Sequence, residues 1–291
     1  SLQGRSVRSD IARTVVNRGQ ISAPKGTAAL ASGTEVLLSE GAADGERVLV
    51  RVGTTDGAVE TSGLIEAATA ELKAAGGNVY ALAGNNGGLI RATGVETRGG
   101  RVVLSATGGH VSTAGTVEAK TAAGDGGRID VAAPDGVVMH TGTLSASGSR
   151  GGAVTVRGSR VSNQGRVSAD GTAGAGGTVA VEFGKGYIAP SKSTLSARGA
   201  TRGGAVSVTG TQAESTLFSS GRHDVTGGQA GGSADLFAAA ITLVDAAVDA
   251  SGGAGGGSIR IGGDYQGSGL MLKAATTRVS PTTALRADAT G

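Results

Sequence analysis

The chain has 291 residues, a net charge of +3 and an unusual composition: 55 Gly, 4 Pro, no Cys, no Trp, 3 Tyr and 3 Phe. So few rings cannot fill a thick layered core, and the absence of cysteine excludes disulfides, thiolate metal sites and a cysteine nucleophile. The charges are scattered, without the clustered Lys/Arg and stacking rings of a nucleic-acid surface, so nucleic acid is not an expected partner.

Residues 1–12 carry no repeat. Thereafter two short phrases alternate along the chain. One is a glycine or small residue, then x, aliphatic, x, Ala: Gly19-Gln-Ile21-Ser-Ala23, Gly63-Leu-Ile65-Glu-Ala67, Gly88-Leu-Ile90-Arg-Ala92, Gly115-Thr-Val117-Glu-Ala119 and Gly142-Thr-Leu144-Ser-Ala146. It continues through Val167, Leu195, Val248 and Leu285, each two residues before an alanine. The other phrase is Gly-Gly-x-aliphatic-x-aliphatic, as in Gly126-Gly127-Arg-Ile129-Asp-Val131 and Gly151-Gly152-Ala-Val154-Thr-Val156. Its second glycine falls at Gly77, Gly100, Gly127, Gly152, Gly177, Gly204, Gly232 and Gly257, in steps of 23, 27, 25, 25, 27, 28 and 25 residues. A third short strand lies between them: Val111-Ser-Thr113, Val137-Val-Met139 or Val161-Ser-Asn163.

Each phrase alternates with period two, so its aliphatics share one face. A fixed period of this length is the mark of a solenoid. Three short strands per turn predict an all-β parallel β-helix of about 25 residues per coil and roughly eleven coils, one continuous body over residues 1–291. Glycines at the corners are expected to supply positive φ, and the alanine closing the first phrase is expected to face inward. Leu64–Ala75 is rich in helix formers, and both a strand with a corner excursion and a short surface helix fit it. The final residues show no capping element, so the chain reads as part of a longer solenoid or as a unit whose ends stack on neighbours.

The residues offer little chemistry. His110, His140 and His223 are the three histidines, and their phases differ, so surface or corner positions are expected for them. Gly252–Ser258 lacks the Lys-Ser/Thr of a phosphate loop and reads as a corner. No catalytic, cofactor or metal residue is assigned. Glu66, Arg91 and Glu118 occupy one outward position in successive coils and are expected to form an ion-pair ladder. Ser145, Ser168 and Ser196 follow in that column, so no catalytic carboxylate pair is expected to continue it. Asp235 and Arg260 are expected to be neighbours across coils. Two stretches look irregular, Glu182–Ser193 and Thr211–Thr226. Their Phe183, Tyr187 and Phe218 are candidate loop contacts, with packing over coil ends or loops as the alternative.

Asn17-Arg-Gly-Gln-Ile-Ser-Ala23, Ala70-Glu-Leu-Lys-Ala-Ala-Gly-Gly-Asn-Val-Tyr-Ala-Leu82, Gly99-Gly-Arg-Val-Val-Leu-Ser-Ala106 and Gly262-Gly-Asp-Tyr-Gln-Gly267 resemble the repeat region of the filamentous haemagglutinin-like exoproteins of bacterial two-partner secretion. The resemblance implies a right-handed β-helix, and export through a partner pore in the outer membrane of a Gram-negative bacterium. It further implies a secreted or cell-surface location and an adhesin that meets host or bacterial surface glycans or receptors. The family's secretion domain, with its Asn-Pro motifs, is not visible here. The functional expectation is a non-enzymatic adhesin or rigid stalk. The alternatives are a self-assembling extracellular filament joined end to end and, less favoured by the residues, a polysaccharide-active enzyme.

Overall fold

The computed structural model describes residues 7–12, 14–33, 35–38, 48–51, 58–75, 78–81, 89–92, 100–263 and 273–291. Among them the regular structure is all strand. The chain winds as a parallel β-solenoid with three ladders. Ladder A stacks Val7–Ala12, 27–32, 69–75, Arg101–Thr107, 128–133, 153–158, 178–183, Ala205–Gly210, Ser233–Phe237 and Ser258–Ile261. Ladder B stacks Thr14–Asn17, Ala58–Thr61, Asn78–Ala81, Val111–Thr113, 137–140, 160–163, 186–189, Thr216–Ser219, Ala240–Leu243 and Thr276–Val279. Ladder C stacks 20–23, 64–67, Leu89–Ala92, Thr116–Ala119, Thr143–Ser145, Arg166–Ser168, Thr194–Ser196, Arg222–Asp224, Ala247–Asp249 and Ala284–Arg286. The nine steps of each ladder, at ~4.8 Å apiece, make a rod about 43 Å long.

Among the described residues each ladder has ten strands, against the roughly eleven coils expected. The missing coil's worth of chain lies between Ser32 and Ala58, where Glu35–Leu38 pairs antiparallel with Val48–Arg51. This hairpin is inserted at the A–B corner, and Val48–Arg51 packs against Gln20–Ser32 and Leu64–Ala75. Ala29, Ala31 and Glu71, outward positions of ladder A in those coils, are buried.

Inward positions carry the expected aliphatics. Ile65, Ile90, Val117 and Leu144 stack one above another, as do Val102, Ile129, Val154, Val179 and Val206, and all are fully buried. Ala67, Ala92, Ala119, Ala146, Ala169, Ala197 and Ala250 close the core where the section narrows. Leu64–Ala75 is a strand throughout. It bends at Ala68, so 64–67 joins ladder C and 69–75 joins ladder A. Ladder pairing and the inward Ala70, Leu72 and Ala74 override its helix propensity.

Two phase readings need correction. Val79 pairs with Val111, so Asn78–Ala81 belongs to ladder B, and the phrase at Gly76-Gly77 is out of step with the later copies. Gly76 and Gly77 themselves lie outside the described residues. In the third strand it is Val138, not Val137, that aligns with Val111 and Val161 and is buried. The corner between Ala133 and Val137, where the register against the next coil also shifts, breaks the period-two alternation, so Ala133 and Val138 both face inward.

The glycine pairs work differently from the expectation. Positive φ among described glycines is confined to Gly108, Gly124, Gly262 and Gly263, none of them in the repeated phrase. The pairs are required by close approach instead. A Cβ on Gly127, Gly152, Gly177, Gly204, Gly232 or Gly257 would collide with the carbonyl oxygen of the second glycine one coil earlier. That oxygen accepts the ladder hydrogen bond: Arg128 N donates to Gly100 O at 2.8 Å, and Ala153 N to Gly127 O, Thr178 N to Gly152 O and Ala205 N to Gly177 O at 2.9 Å. The second glycine's own N–H turns back to the alanine of its coil, as in Gly127 N to Ala119 O and Gly152 N to Ala146 O, both 2.8 Å.

Candidate functional site

The outward columns of ladder C and the following corner hold the densest polar network. Period two points the residue between the aliphatic and the alanine outward. Arg91 therefore sits between Glu66 and Glu118, donating through Nε to Glu118 Oε2 at 3.1 Å and through its terminal nitrogen to Glu66 Oε1 at 3.2 Å. Ser145, Ser168 and Ser196 continue the column, but it does not stay uncharged. Asp224, Asp249 and Arg286 follow in register. Asp224 and Asp249 are thus two carboxylates one coil apart. Asp224 stands outside the phrase in the sequence because Arg222-His223-Asp224 places histidine where the phrase has an aliphatic.

These carboxylates are bound in place. Asp224 accepts from the guanidinium of Arg222 at 2.9 Å and from Thr226 Oγ1 at 2.8 Å. Asp249 accepts from Ser251 N at 3.0 Å. Two residues beyond the column, Asp170 is burdened by burial, which raises its pKa. Hydrogen bonds from Ser196 Oγ, the Arg198 guanidinium and the Arg198 amide outweigh that and hold it below the ordinary carboxylate range. A cleft of about 360 Å³ lies along the same corner, lined by Thr226, Asp249, Ser251, Arg286, Asp288 and Thr290. Among the described residues no group of three His, Cys, Asp or Glu could hold a metal ion.

On ladder A, Arg260 forms a two-point pair with Asp235, 2.7 Å to Oδ1 and 2.9 Å to Oδ2, and lies 5.7 Å from the Phe237 ring centroid. Arg101 and Arg128 converge on Asp130, and Arg157 reaches Glu182 at 2.8 Å. Phe183 and Tyr187 are not loop contacts. Both point inward from the strand Thr178–Ala189, with 1% exposure each and ring centroids 5.9 Å apart. That strand passes unbroken from ladder A to ladder B, with a register shift against the preceding coil between Phe183 and Gly186. Tyr187 takes the inward place that Val161 and Leu217 hold in the adjacent coils, and Phe183 fills a place where those coils have Gly158 and Gly210. Thr211–Thr226 contains a short turn followed by Thr216–Ser219 and Arg222–Asp224.

The histidines also depart from expectation. His110 is exposed and accepts from Val137 N at 2.9 Å, but His140 and His223 are in the core, 2% and 1% exposed. His140 Nε2 lies 3.2 Å from the Arg166 carbonyl, so Nε2 donates, and Nδ1 accepts from Thr113 Oγ1 at 2.7 Å. His223 Nε2 is 2.9 Å from Ser219 Oγ, while its Nδ1 is buried without a hydrogen-bond partner. Burial lowers each imidazole to about 4.

Ladder B presents a different surface. Its central outward column reads Ser112, Met139, Ser162, Ile188, Phe218 and Thr242 in successive coils. Met139, Ile188 and Phe218 are 46%, 55% and 39% exposed. Phe218 is therefore the one expected contact residue that faces solvent. The stripe was hidden in the sequence because its members sit at the x positions between inward residues, and Met139 takes its place only through the corner after Ala133.

Comparison of the chain with protein-family models, curated proteins and solved structures finds no match.

Proposed function

We propose that the chain is a non-enzymatic β-solenoid scaffold, secreted or held at a cell surface, that mediates attachment or serves as a rigid stalk. The observation that carries this reading is how its charged side chains are used. Arg91, Arg101, Arg150, Arg157, Arg198 and Arg260 each pair with an acid of a neighbouring coil. Such pairs brace a rod and leave extended faces, rather than gathering a nucleophile and a base at one point. The resemblance to filamentous haemagglutinin-like exoproteins supports attachment as the purpose and export by an outer-membrane partner pore as the route.

The test is adhesion. Beads coated with the chain are applied to epithelial and bacterial cells and washed under flow. Retention several-fold above albumin-coated beads is expected, and equal retention on every surface would reject attachment. Turnover of a polysaccharide by the purified chain would overturn the non-enzymatic half of the reading.

A further inference from the structure

The cleft at the C–A corner belongs to a groove that runs along successive coils. One wall is the last outward column of ladder C, which reads Ser168, Ser196, Asp224, Asp249 and Arg286. The other is the corner column Asp170, Arg198, Thr226, Ser251 and Asp288, each just before a glycine or alanine that bridges to the neighbouring coil. In its earlier coils the groove supplies its own guanidinium groups. Arg166 and Arg198 both donate to Asp170 Oδ2, at 3.2 and 2.9 Å. Arg222 donates to Asp224 Oδ2 through Nε at 3.2 Å and through a terminal nitrogen at 2.9 Å. Then the supply stops, because Arg222 is followed in register by Ala247 and Ala284. The carboxylates continue. Asp249 stands where Asp224 stands one coil earlier, and accepts one hydrogen bond, from Ser251 N to Oδ1. Asp288 donates its amide to Ser251 Oγ at 3.2 Å, and its carboxylate accepts no hydrogen bond among the described residues. Ser251 is 9% exposed, and its own hydroxyl proton has no acceptor among the described residues. The cleft of about 360 Å³ opens at this point.

We propose that this cleft binds a guanidinium group carried by a ligand, which takes on Asp249 and Asp288 the place that Arg222 takes on Asp224. The earlier coils show in the same groove what it accepts, since Asp170 and Asp224 are matched there by three arginines. In the cleft two carboxylates share one arginine, Arg286, and none of the three forms an ion pair among the described residues. The stretch therefore carries a net negative charge. A planar guanidinium presents a rigid fork of N–H donors that fits carboxylate oxygens better than a compact ammonium does. The volume leaves room for the carbon chain behind the fork. An anion fits less well, because it would meet both carboxylates. A divalent cation fits less well too, because Arg286 stands beside the point and no group of three metal-binding side chains surrounds it among the described residues. An arginine side chain of a partner protein and a small free guanidine present the same headgroup to this cleft.

The experiment is an amide NMR titration of the full chain with butylguanidine, with n-butylamine as the matched ammonium and the blocked peptide Gly-Arg-Gly as an arginine presented by protein. Saturable shifts at the amides around Asp249, Ser251 and Asp288 are expected, with n-butylamine binding more weakly. Asp249→Asn with Asp288→Asn should weaken butylguanidine binding by about tenfold or more, as expected for lost hydrogen bonds between charged groups. Ala247→Arg should abolish it, by setting a resident guanidinium on Asp249 as Arg222 is set on Asp224. Arg286→Gln should tighten it roughly twofold or more by removing a like charge. An unchanged thermal melt confirms that each variant is folded. Asp288→Asn alone, at an exposed position, should give a smaller loss and serves if the double variant does not fold. The tighter binder of butylguanidine and the peptide tells a free guanidine from a partner's arginine as the source. No saturable shift at this corner overturns the proposal. So does n-butylamine binding as tightly as butylguanidine, binding undiminished in the folded aspartate or Ala247→Arg variants, or weaker binding in Arg286→Gln.

Discussion

Lowering the pH from 7 to 4.5 should strip this solenoid of a large share of its stability through two side chains. His140 and His223 titrate at about 4 when folded because burial opposes their charged forms, against an ordinary value of ~6.5 in the unfolded chain. Between those values the unfolded state binds more protons, so stability is whole above about pH 6.5 and falls as pH drops towards 4. At pH 4.5 each histidine then costs about 2.5 kcal/mol, and the pair ~5 kcal/mol, comparable with the entire ~5–15 kcal/mol of a typical domain. Asp170, held below 3.8, loses its contribution only at still lower pH, so the window belongs to the imidazoles. Denaturant unfolding at pH 7 and 4.5 measures the drop. The double variant His140→Gln, His223→Gln should start less stable at pH 7 and show a nearly flat profile over the window. A wild-type profile that is flat from pH 7 to 4.5, or a slope that survives in the double variant, would refute the assignment.

Three further outcomes follow from the packing. Gly152→Ala should destabilise by ~1–3 kcal/mol or prevent folding, since its Cβ meets the Gly127 carbonyl oxygen; a melting temperature equal to wild type would count against close approach as the reason for the glycine pairs. Asp170→Ala should cost about 1–3 kcal/mol by orphaning Ser196 Oγ and the Arg198 amide, read as a lower denaturant midpoint with unchanged slope. Arg91→Ala, whose partners Glu66 and Glu118 are themselves partly exposed, should change stability by less than ~1 kcal/mol; a larger loss in the same unfolding measurement would mean the ladder holds more than its charges.

The solenoid was legible because inward positions tolerate little beyond aliphatics and alanine, and because parallel stacking repeats them at coil length. The same phase places Glu66, Arg91 and Glu118 on one column, and Asp235 beside Arg260. What escaped reading were departures from the phrase. His223 occupies an aliphatic site by satisfying Nε2 on Ser219, so its coil, and with it Asp224, dropped out of the pattern. Phe183 and Tyr187 looked like loop residues because rings are rare here, yet they fill the core on either side of the A–B corner. Val137 and Val138 are both apolar, and only the corner after Ala133 decides which faces in. The hairpin near residues 35–51 carries an antiparallel pairing that no coil-length repeat can announce.

The glycine pairs also have a consequence for how such a chain can lengthen. At each C–A corner the second glycine is clamped twice, by the alanine of its own coil and by the neighbouring coil, so length varies only in the loop between the two clamped residues, six positions from Ala146 to Gly152 and eight from Ala169 to Gly177. At the A–B corner the protein has accepted a whole hairpin between Ser32 and Ala58. Growth by whole coils and decoration at one corner are thus separable: the glycine seam acts as a fixed spine, and new surface can be added opposite it without disturbing the registration of anything above or below.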